Sequence, residues 1–175
     1  MANTTFNGAV RSENGFQDIS KNGTTGAITT NFTLGSTGLL ATPVALTDAD
    51  VDLSAATSTY AGRVLMVPAL SDNRTITIGA PSAGLAYKII YIGAAEEAEN
   101  LIIKSGSDTN FFKGCIIHAD SNADNVSIYA NGSSNSKLTL TDFGCTEINL
   151  LGIDGTNWAI WGISEGADAP AFADN

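Results

Sequence analysis

His118, the only histidine of the chain, is the first place to look for chemistry, because a catalytic nucleophile usually needs a histidine base beside it. It stands in the run CIIHAD, whose isoleucines are typical of a β-strand. The sequence contains no Gly-x-Ser-x-Gly elbow, no His-Glu-x-x-His pair, no phosphate-binding loop and no Gly-x-Gly-x-x-Gly junction. We therefore interpret His118 as a half-buried strand residue, and we expect no catalytic residue and no enzymatic activity.

Carboxylates are grouped in three short runs that could hold a cation or supply acid–base chemistry: DADVD, AAEEAEN and DSNADN. The runs contain Asp48, Asp50, Asp52, Glu96, Glu97, Glu99, Asp120, Asn122 and Asp124. DADVD and DSNADN lack the glycine and the final glutamate that an EF-hand loop needs at fixed positions. A surface turn or strand edge is favoured over a metal site for both, and a solvated acidic loop for AAEEAEN. No metal and no cofactor are expected.

Two cysteines and two tryptophans complete the candidate groups. Cys115 and Cys145 are too few for a disulfide framework, so we predict two buried, reduced thiols, with a single bridge as the alternative. Trp158 and Trp161 could stack on sugars. Their position inside a predicted strand, away from a loop tip, favours burial in a core or an interface.

Composition excludes several classes of partner. The net charge is −10 with only eight Lys and Arg residues, so the chain has no basic stripe for nucleic acid. The N-terminus has neither the basic nor the apolar part of a signal peptide, and no apolar run is long enough to span a bilayer. Charged residues make up 15% of the chain, against about 25% in an average soluble domain. Uncharged polar surfaces of this kind suit packing against other protein.

The elements that would position these groups are short strands bounded by Gly, Asn, Asp and Ser at roughly ten-residue spacing. This pattern predicts an all-β fold, a compact antiparallel β sandwich or barrel-like body, over residues 44–165. Residues 1–43 have scattered apolar positions between Asn-Gly turns and predict an extended N-terminal arm, with short strands near Ala9–Arg11, Phe16–Ser20 and Ala27–Thr33. Residues 166–175 are expected to be a short tail.

The stretch INLLGIDGTNWAIWGI, from Ile148 to Ile163, is predicted to form a hairpin that is apolar on both faces. A two-residue turn at Asp154-Gly155 would pair Ile153 with Thr156. One face would then carry Leu151, Ile153, Trp158 and Ile160, and the other Ile148, Leu150, Ala159, Trp161 and Ile163. A longer loop with a bulge would shift this register. In either register the hairpin should lie between the core and a second sheet or a neighbouring subunit.

Several segments together resemble a known family. The runs RTITIGAPSAGLAYKIIYIG, LIIKSGS, FFKGCII and LLGIDGTNWAIWGIS, in this order, resemble a pattern of tailed-phage head decoration (capsid cement) proteins, and related modules occur in fibres. The opening TTFNGAVRSENGF resembles the N-termini of structural proteins of marine cyanophages. The chain departs from the pattern with Ile78-Gly79, where Leu-Pro is common, and with the additional Trp161.

The resemblance implies a virion structural protein, made in the host cytoplasm, that binds the outside of the major capsid protein lattice and stabilises the head. Its expected partners are the major capsid protein and copies of itself in a homotrimer, with no nucleic acid and no membrane. The alternative is a phage fibre, spike or adhesin subunit that binds host surface glycans. Expected contacts of the arm with capsid or neighbour are Phe6, Val10, Arg11, Phe16 and Phe32. Expected residues of the body's core and subunit interface are Leu150, Leu151, Trp158, Ile160 and Trp161.

Overall fold

The computed structural model describes residues 16–35, 38–40, 42–120 and 125–175. The chain divides into two compact units, Met1–Thr42 and Pro43–Asn175. Each unit is β-rich, as the short, turn-bounded apolar runs predicted, so the prediction of an all-β protein is confirmed.

The first unit contains a three-stranded antiparallel sheet. Its strands are β1 (Phe16–Lys21), β2 (Ile28–Gly35) and β3 (Gly38–Leu40), in that order across the sheet. The turn between β1 and β2 forms because the Asn22 side chain accepts hydrogen bonds from the backbone N–H groups of Thr24 and Thr25. Two of the three strands predicted in this region are therefore present.

The proposed contact residues of the arm remain a prediction. Phe6, Val10 and Arg11 lie outside the described residues, as does the strand expected at Ala9–Arg11. Phe16 and Phe32 lie on β1 and β2, where the backbone alone is described.

The second unit contains a seven-stranded and a five-stranded sheet. The strands are β4 (Val44–Ala45), β5 (Val51–Asp52), β6 (Val64–Val67), β7 (Arg74–Gly79), β8 (Ala86–Tyr91), β9 (Leu101–Ser105), β10 (Phe111–Asp120), β11 (Val126–Asn131), β12 (Lys137–Leu140), β13 (Phe143–Gly152), β14 (Asn157–Gly166) and β15 (Ala171–Ala173). The seven-stranded sheet has the order β11–β10–β14–β13–β8–β6–β4, and the five-stranded sheet has the order β15–β12–β9–β7–β5. A 3-10 turn (Ser54–Ala56) and a one-turn helix α1 (Thr57–Tyr60) connect β5 to β6.

Both sheets are mixed, so the prediction of a wholly antiparallel body is wrong. Strands β4, β6 and β8 run parallel to one another, as do β5, β7 and β9, and β10 is parallel to β14. The other neighbouring pairs are antiparallel. Parallel neighbours need a crossover connection, and here the crossovers carry the chain from one sheet to the other: β6 is followed by β7 in the five-stranded sheet, then by β8 back in the first.

One apolar core lies between the two sheets and takes alternate residues from the strands of both. In β7, Ile76 and Ile78 are buried while Thr75 and Thr77 are half-buried, so the strict alternation of RTITIG corresponds to the two sides of the strand. The Trp158 indole is fully buried, and its ring N–H donates to the Gly79 carbonyl at 3.4 Å. The β14 strand is thereby tied to the opposite sheet.

The segment expected to be a tail belongs to the five-stranded sheet. β15 pairs with β12 through Lys137 opposite Ala173 and Leu138 opposite Phe172. Beyond it, the backbone N–H of Asn175 donates to the Ser136 hydroxyl at 2.9 Å. The run GADAPAFADN does not indicate a strand, because the strand that it forms is only three residues long.

Candidate functional site

The register of the β13–β14 hairpin decides which apolar residues face solvent. Leu150 pairs with Ile160 and Leu151 with Ala159, and the N–H of Ile153 donates to the Asn157 carbonyl at 2.9 Å. The loop therefore has three residues, one more than the predicted turn.

Asp154 explains the longer loop. Its carboxylate accepts hydrogen bonds from the backbone N–H groups of Thr156 and Asn157, both at 2.7 Å, and from the Asn157 side-chain amide. The bonds from Asn157 and then Thr156 lower the pKa of the Asp154 carboxyl. The Asp154 side chain thus holds the three-residue loop in place by hydrogen bonds to the two residues that follow Gly155.

The hairpin register is shifted by one residue from the predicted one, so the predicted division of residues between the two faces is wrong. The reason is that side chains alternate along a strand. Ile148, Leu150, Trp158 and Ile160 all face the core and are at most 1% exposed. The opposite face carries Leu151, Ala159, Trp161 and Ile163, of which Trp161 is 48% exposed. Of the five hairpin residues named from the sequence, Leu150, Trp158 and Ile160 therefore lie in the core, and Leu151 and Trp161 lie outside it.

We call the solvent side of β11, β10, β14, β13 and β8 the outer face, and two cross-strand rows form its centre. Neighbouring strands pair Tyr129 with Cys115, Cys115 with Trp161, Trp161 with Asn149 and Asn149 with Lys88; these five residues are the Trp161 row. The next row, the Ile163 row, contains Ser127, Ile117, Ile163, Glu147 and Ile90.

Large apolar side chains are concentrated in these rows. Tyr129 is 71% exposed, Ile117 49% and Ile163 42%, and Trp161 lies among them. Single exposed apolar residues are ordinary, but a contiguous group marks a surface that binds something. Sequence reasoning named only Trp161 of these four as an interface residue. The signal for Ile117 and Tyr129 was the alternation within KGCIIHAD and NVSIYANG, and Ile163 had been placed on one face of the hairpin without being named as a contact.

The flank of the outer face at β13 and β8 is polar and balanced in charge. The Lys88 ammonium lies 2.9 Å from a carboxylate oxygen of Glu147, and the Asn149 amide donates to the same oxygen at 3.0 Å. The hydrogen bonds from Asn149 and Lys88 lower the pKa of the Glu147 carboxyl. This flank is therefore ready to make polar contacts beside the apolar centre.

Two shallow grooves flank the Trp161 indole. One, of about 350 Å³, lies between the two rows and is bordered by Ile117 and Ile163. The other, of about 260 Å³, is bordered by Lys88 and Leu151. The indole thus stands as a ridge between two depressions.

The outward side of the five-stranded sheet is mainly polar, unlike the centre of the outer face. The outward side chains, which alternate with the core positions, include Thr75, Thr77, Lys104, Lys137 and Thr139. An antiparallel or mixed sheet commonly has one wet face of this kind. The outer face of the seven-stranded sheet departs from the rule at its centre, which makes it the candidate site.

His118, the first residue considered for chemistry, lies in the interior of the body. His118 is 2% exposed, so it lies deeper than predicted, and neither ring nitrogen has a hydrogen-bond partner. Its neighbour on β14, Ser164, is also buried, and the Ser164 hydroxyl pairs with that of Thr146 at 3.1 Å.

The DADVD carboxylates anchor neighbouring segments. Asp48 accepts from the Arg74 guanidinium at 2.6 Å and from the hydroxyl and the backbone N–H of Ser71, and these bonds lower the pKa of its carboxyl to about 2. Asp50 accepts from the N–H of Thr75, and Asp52 from that of Ser54. In the part of the chain that the structure describes, His, Cys, Asp and Glu form no group of three that could hold a metal ion. Asn122 and Asp124 lie outside that part.

The acidic loop is not uniformly solvated, which corrects the prediction for AAEEAEN. Glu97 is only 9% exposed, and its carboxylate accepts from the Leu70 N–H at 2.7 Å and from the Tyr91 hydroxyl at 3.1 Å. Glu96 accepts from the N–H of Ala167 at 2.8 Å. The loop is thus fastened to the body by two of its carboxylates.

Both cysteines are free, Cys115 half-buried in the Trp161 row and Cys145 exposed. The prediction of two buried thiols is therefore wrong. The reason is that both occupy outward positions of their strands, next to the buried Ile116 and Thr146.

No family model, curated protein or solved structure matches the chain. Among the residues that the structure describes, no helix is long and apolar enough to cross a membrane. A function is therefore inferred from the outer face and from the resemblance noted in the sequence.

Proposed function

We propose that the protein is a structural component of a virion, a capsid decoration protein that binds the outside of the major capsid protein lattice and stabilises the head. The observation that carries the proposal is the exposed apolar centre of the outer face, which is suited to a permanent protein contact. The order of the decoration-protein-like motifs along the sequence supports the same function.

In this proposal the two units have different tasks. The body is a two-sheet sandwich whose outer face packs against protein, and the N-terminal arm, residues 1–43 with its three-stranded sheet, clasps the capsid or a neighbouring copy. Several copies would act together, and a homotrimer is the assembly that the resemblance implies. The strong negative charge suits the outer surface of a shell, away from packaged nucleic acid.

The test is loading of the protein onto purified capsids that lack it. Full-length protein should bind in a fixed ratio to the capsid protein, and deletion of residues 2–34 should abolish binding. Thermal unfolding of the truncated body serves as the folding control. A triple variant of the full chain, Phe6→Ser with Phe16→Ser and Phe32→Ser, should also lose binding. Normal loading of both variants would reject the role of the arm, and failure of the intact chain to load would reject the function.

A fibre or adhesin subunit is the second candidate function, and the half-exposed Trp161 between two grooves is the observation that favours it. An exposed indole with nearby amide and charged groups can stack on a sugar ring and bond its hydroxyls. This candidate predicts a few copies per particle and quenching of Trp161 fluorescence by host oligosaccharides. The Trp161→Phe variant should lose that quenching.

A further inference from the structure

The outer face is complementary to itself, and we propose that a second copy of the chain covers it through a two-fold contact. The inference rests on the proposed function in one respect, namely that the outer face binds protein. It adds the identity of the partner, the symmetry of the contact and the residues that meet.

The two rows supply the geometry. A two-fold axis that runs across the strands, between the Trp161 row and the Ile163 row, places each row opposite the other row of the second copy. Trp161 then faces Ile163 of the second copy, and Cys115 faces Ile117 of the second copy. Every contact occurs twice, so the apolar centre of each copy is covered by the apolar centre of the other. Face-packed sheets lie about 10 Å apart, which brings these side chains together.

The polar flank matches under the same symmetry. Asn149 lies opposite Glu147 of the second copy, so an amide donor meets a carboxylate acceptor. Lys88 is the next residue of the Trp161 row and already pairs with Glu147 of its own chain. The two Lys88–Glu147 pairs therefore join into one network of alternating charges, and no like charges are brought face to face.

The charge of the two central rows is compatible with contact between copies. Two chains with a net charge of −10 repel one another, and the repulsion is strongest where acidic surfaces meet. In the two central rows of the outer face, Lys88 and Glu147 balance each other. These rows therefore bring no unbalanced charge into the contact.

The groove between the Trp161 row and the Ile163 row lies on the proposed axis, because the axis runs between the same two rows. The Trp161 ridges of the two copies stand on either side of that axis and fit beside one another. A two-fold contact produces dimers or other even-numbered assemblies, which departs from the homotrimer implied by the resemblance.

The first test is the mass of the purified full-length chain over a dilution series, measured by sedimentation equilibrium. We expect an even-numbered assembly. Ile163→Glu should raise the dissociation constant by about tenfold or more, because it buries a new charge opposite an indole. The matched control is Thr139→Glu, which adds the same charge to the polar side of β12 and should leave association unchanged. A monomer at all concentrations, a trimer, or equal responses of the two variants would overturn the proposal.

The second test measures whether the outer face is covered, through the alkylation rates of two thiols. It uses a chain with Cys145→Ser and Thr139→Cys. The remaining native thiol, Cys115, lies in the Trp161 row, and the introduced thiol lies on the other sheet. The alkylation rate of Cys115 should fall as concentration rises, while that of the introduced thiol stays constant. Unchanged Cys115 labelling in an assembled chain, or oligosaccharide binding at Trp161 of a monomer, would reject the two-fold contact. Capsid loading is scored separately, so failure of this contact and failure of the decoration function are distinguishable.

Discussion

Trp158 and Trp161 lie on the same strand, β14, and on opposite faces of the seven-stranded sheet: Trp158 is fully buried and Trp161 is 48% exposed. The odd separation between them in the sequence produces this arrangement, because side chains alternate along a strand. The three-residue loop before β14 determines which of the two indoles enters the core.

The two tryptophans should differ greatly in their effect on stability. We expect Trp158→Ala to lower the free energy of unfolding by about 3–5 kcal/mol, since it leaves a large cavity in the core. Trp161→Ala in dilute protein should change it by about 0.5 kcal/mol or less. Urea unfolding followed by circular dichroism measures both. Similar effects of the two changes would contradict the observed register.

Gly114 allows β10 to approach β14 closely, and alanine should not be tolerated there. Its φ is +135°, and a Cβ at this position would lie 2.0 Å from the Ile160 carbonyl oxygen. Gly114→Ala should therefore lower the free energy of unfolding by at least about 2 kcal/mol, because the central strand pair must separate. Gly155→Ala is the control, since a Cβ at that position would meet no atom of a non-adjacent residue within 4 Å, and its melting temperature should stay near that of the native chain.

His118 should be replaceable by leucine with a gain in stability. Both of its buried ring nitrogens lack a partner, and an unsatisfied buried polar group costs about 1–3 kcal/mol. We expect His118→Leu to raise the free energy of unfolding by about 1 kcal/mol. As a contrast, Ser164→Ala removes a satisfied hydroxyl and leaves Thr146 without that bond, so it should be destabilising. A lower melting temperature for His118→Leu would indicate that the imidazole has a favourable role.

Acid should destabilise the body as its paired carboxylates become protonated. The Arg74 guanidinium and Ser71 hold the pKa of Asp48 at about 2, below its usual 3.8. A carboxyl with a lowered folded-state pKa stabilises the fold above its unfolded pKa and loses that contribution as the pH falls through the folded value. The Asp48 contribution should therefore disappear between about pH 4 and pH 2. Urea unfolding at successive pH values should show this loss, and Asp48→Asn should make the dependence on pH shallower.

Local features of the fold could be predicted from the sequence, and long-range ones could not. The run RTITIG identified β7 because strict alternation and β-branched residues depend only on neighbours in the chain. The parallel pairing of β10 with β14 depends on segments that are distant in sequence, so no local pattern indicated it.

Part of the candidate site could also be predicted from local sequence. The apolar character of the hairpin indicated an interface. Which apolar residues are exposed, however, depends on the third residue of the hairpin loop and on the pairing with β10 and β11. The burial of Glu97 could not be predicted from the sequence either. Its partner is the backbone N–H of Leu70, a group that every residue except proline has.

The position of β14 in the seven-stranded sheet has a consequence for biosynthesis. It is the last of the seven strands in chain order, yet it lies inside the sheet between β10 and β13. While the nascent chain is still on the ribosome without this segment, the sheet is split into two halves with open edges and a half-formed core. The body can therefore close only after nearly all of it has been translated, and a chaperone that shields those edges would raise the yield of soluble protein.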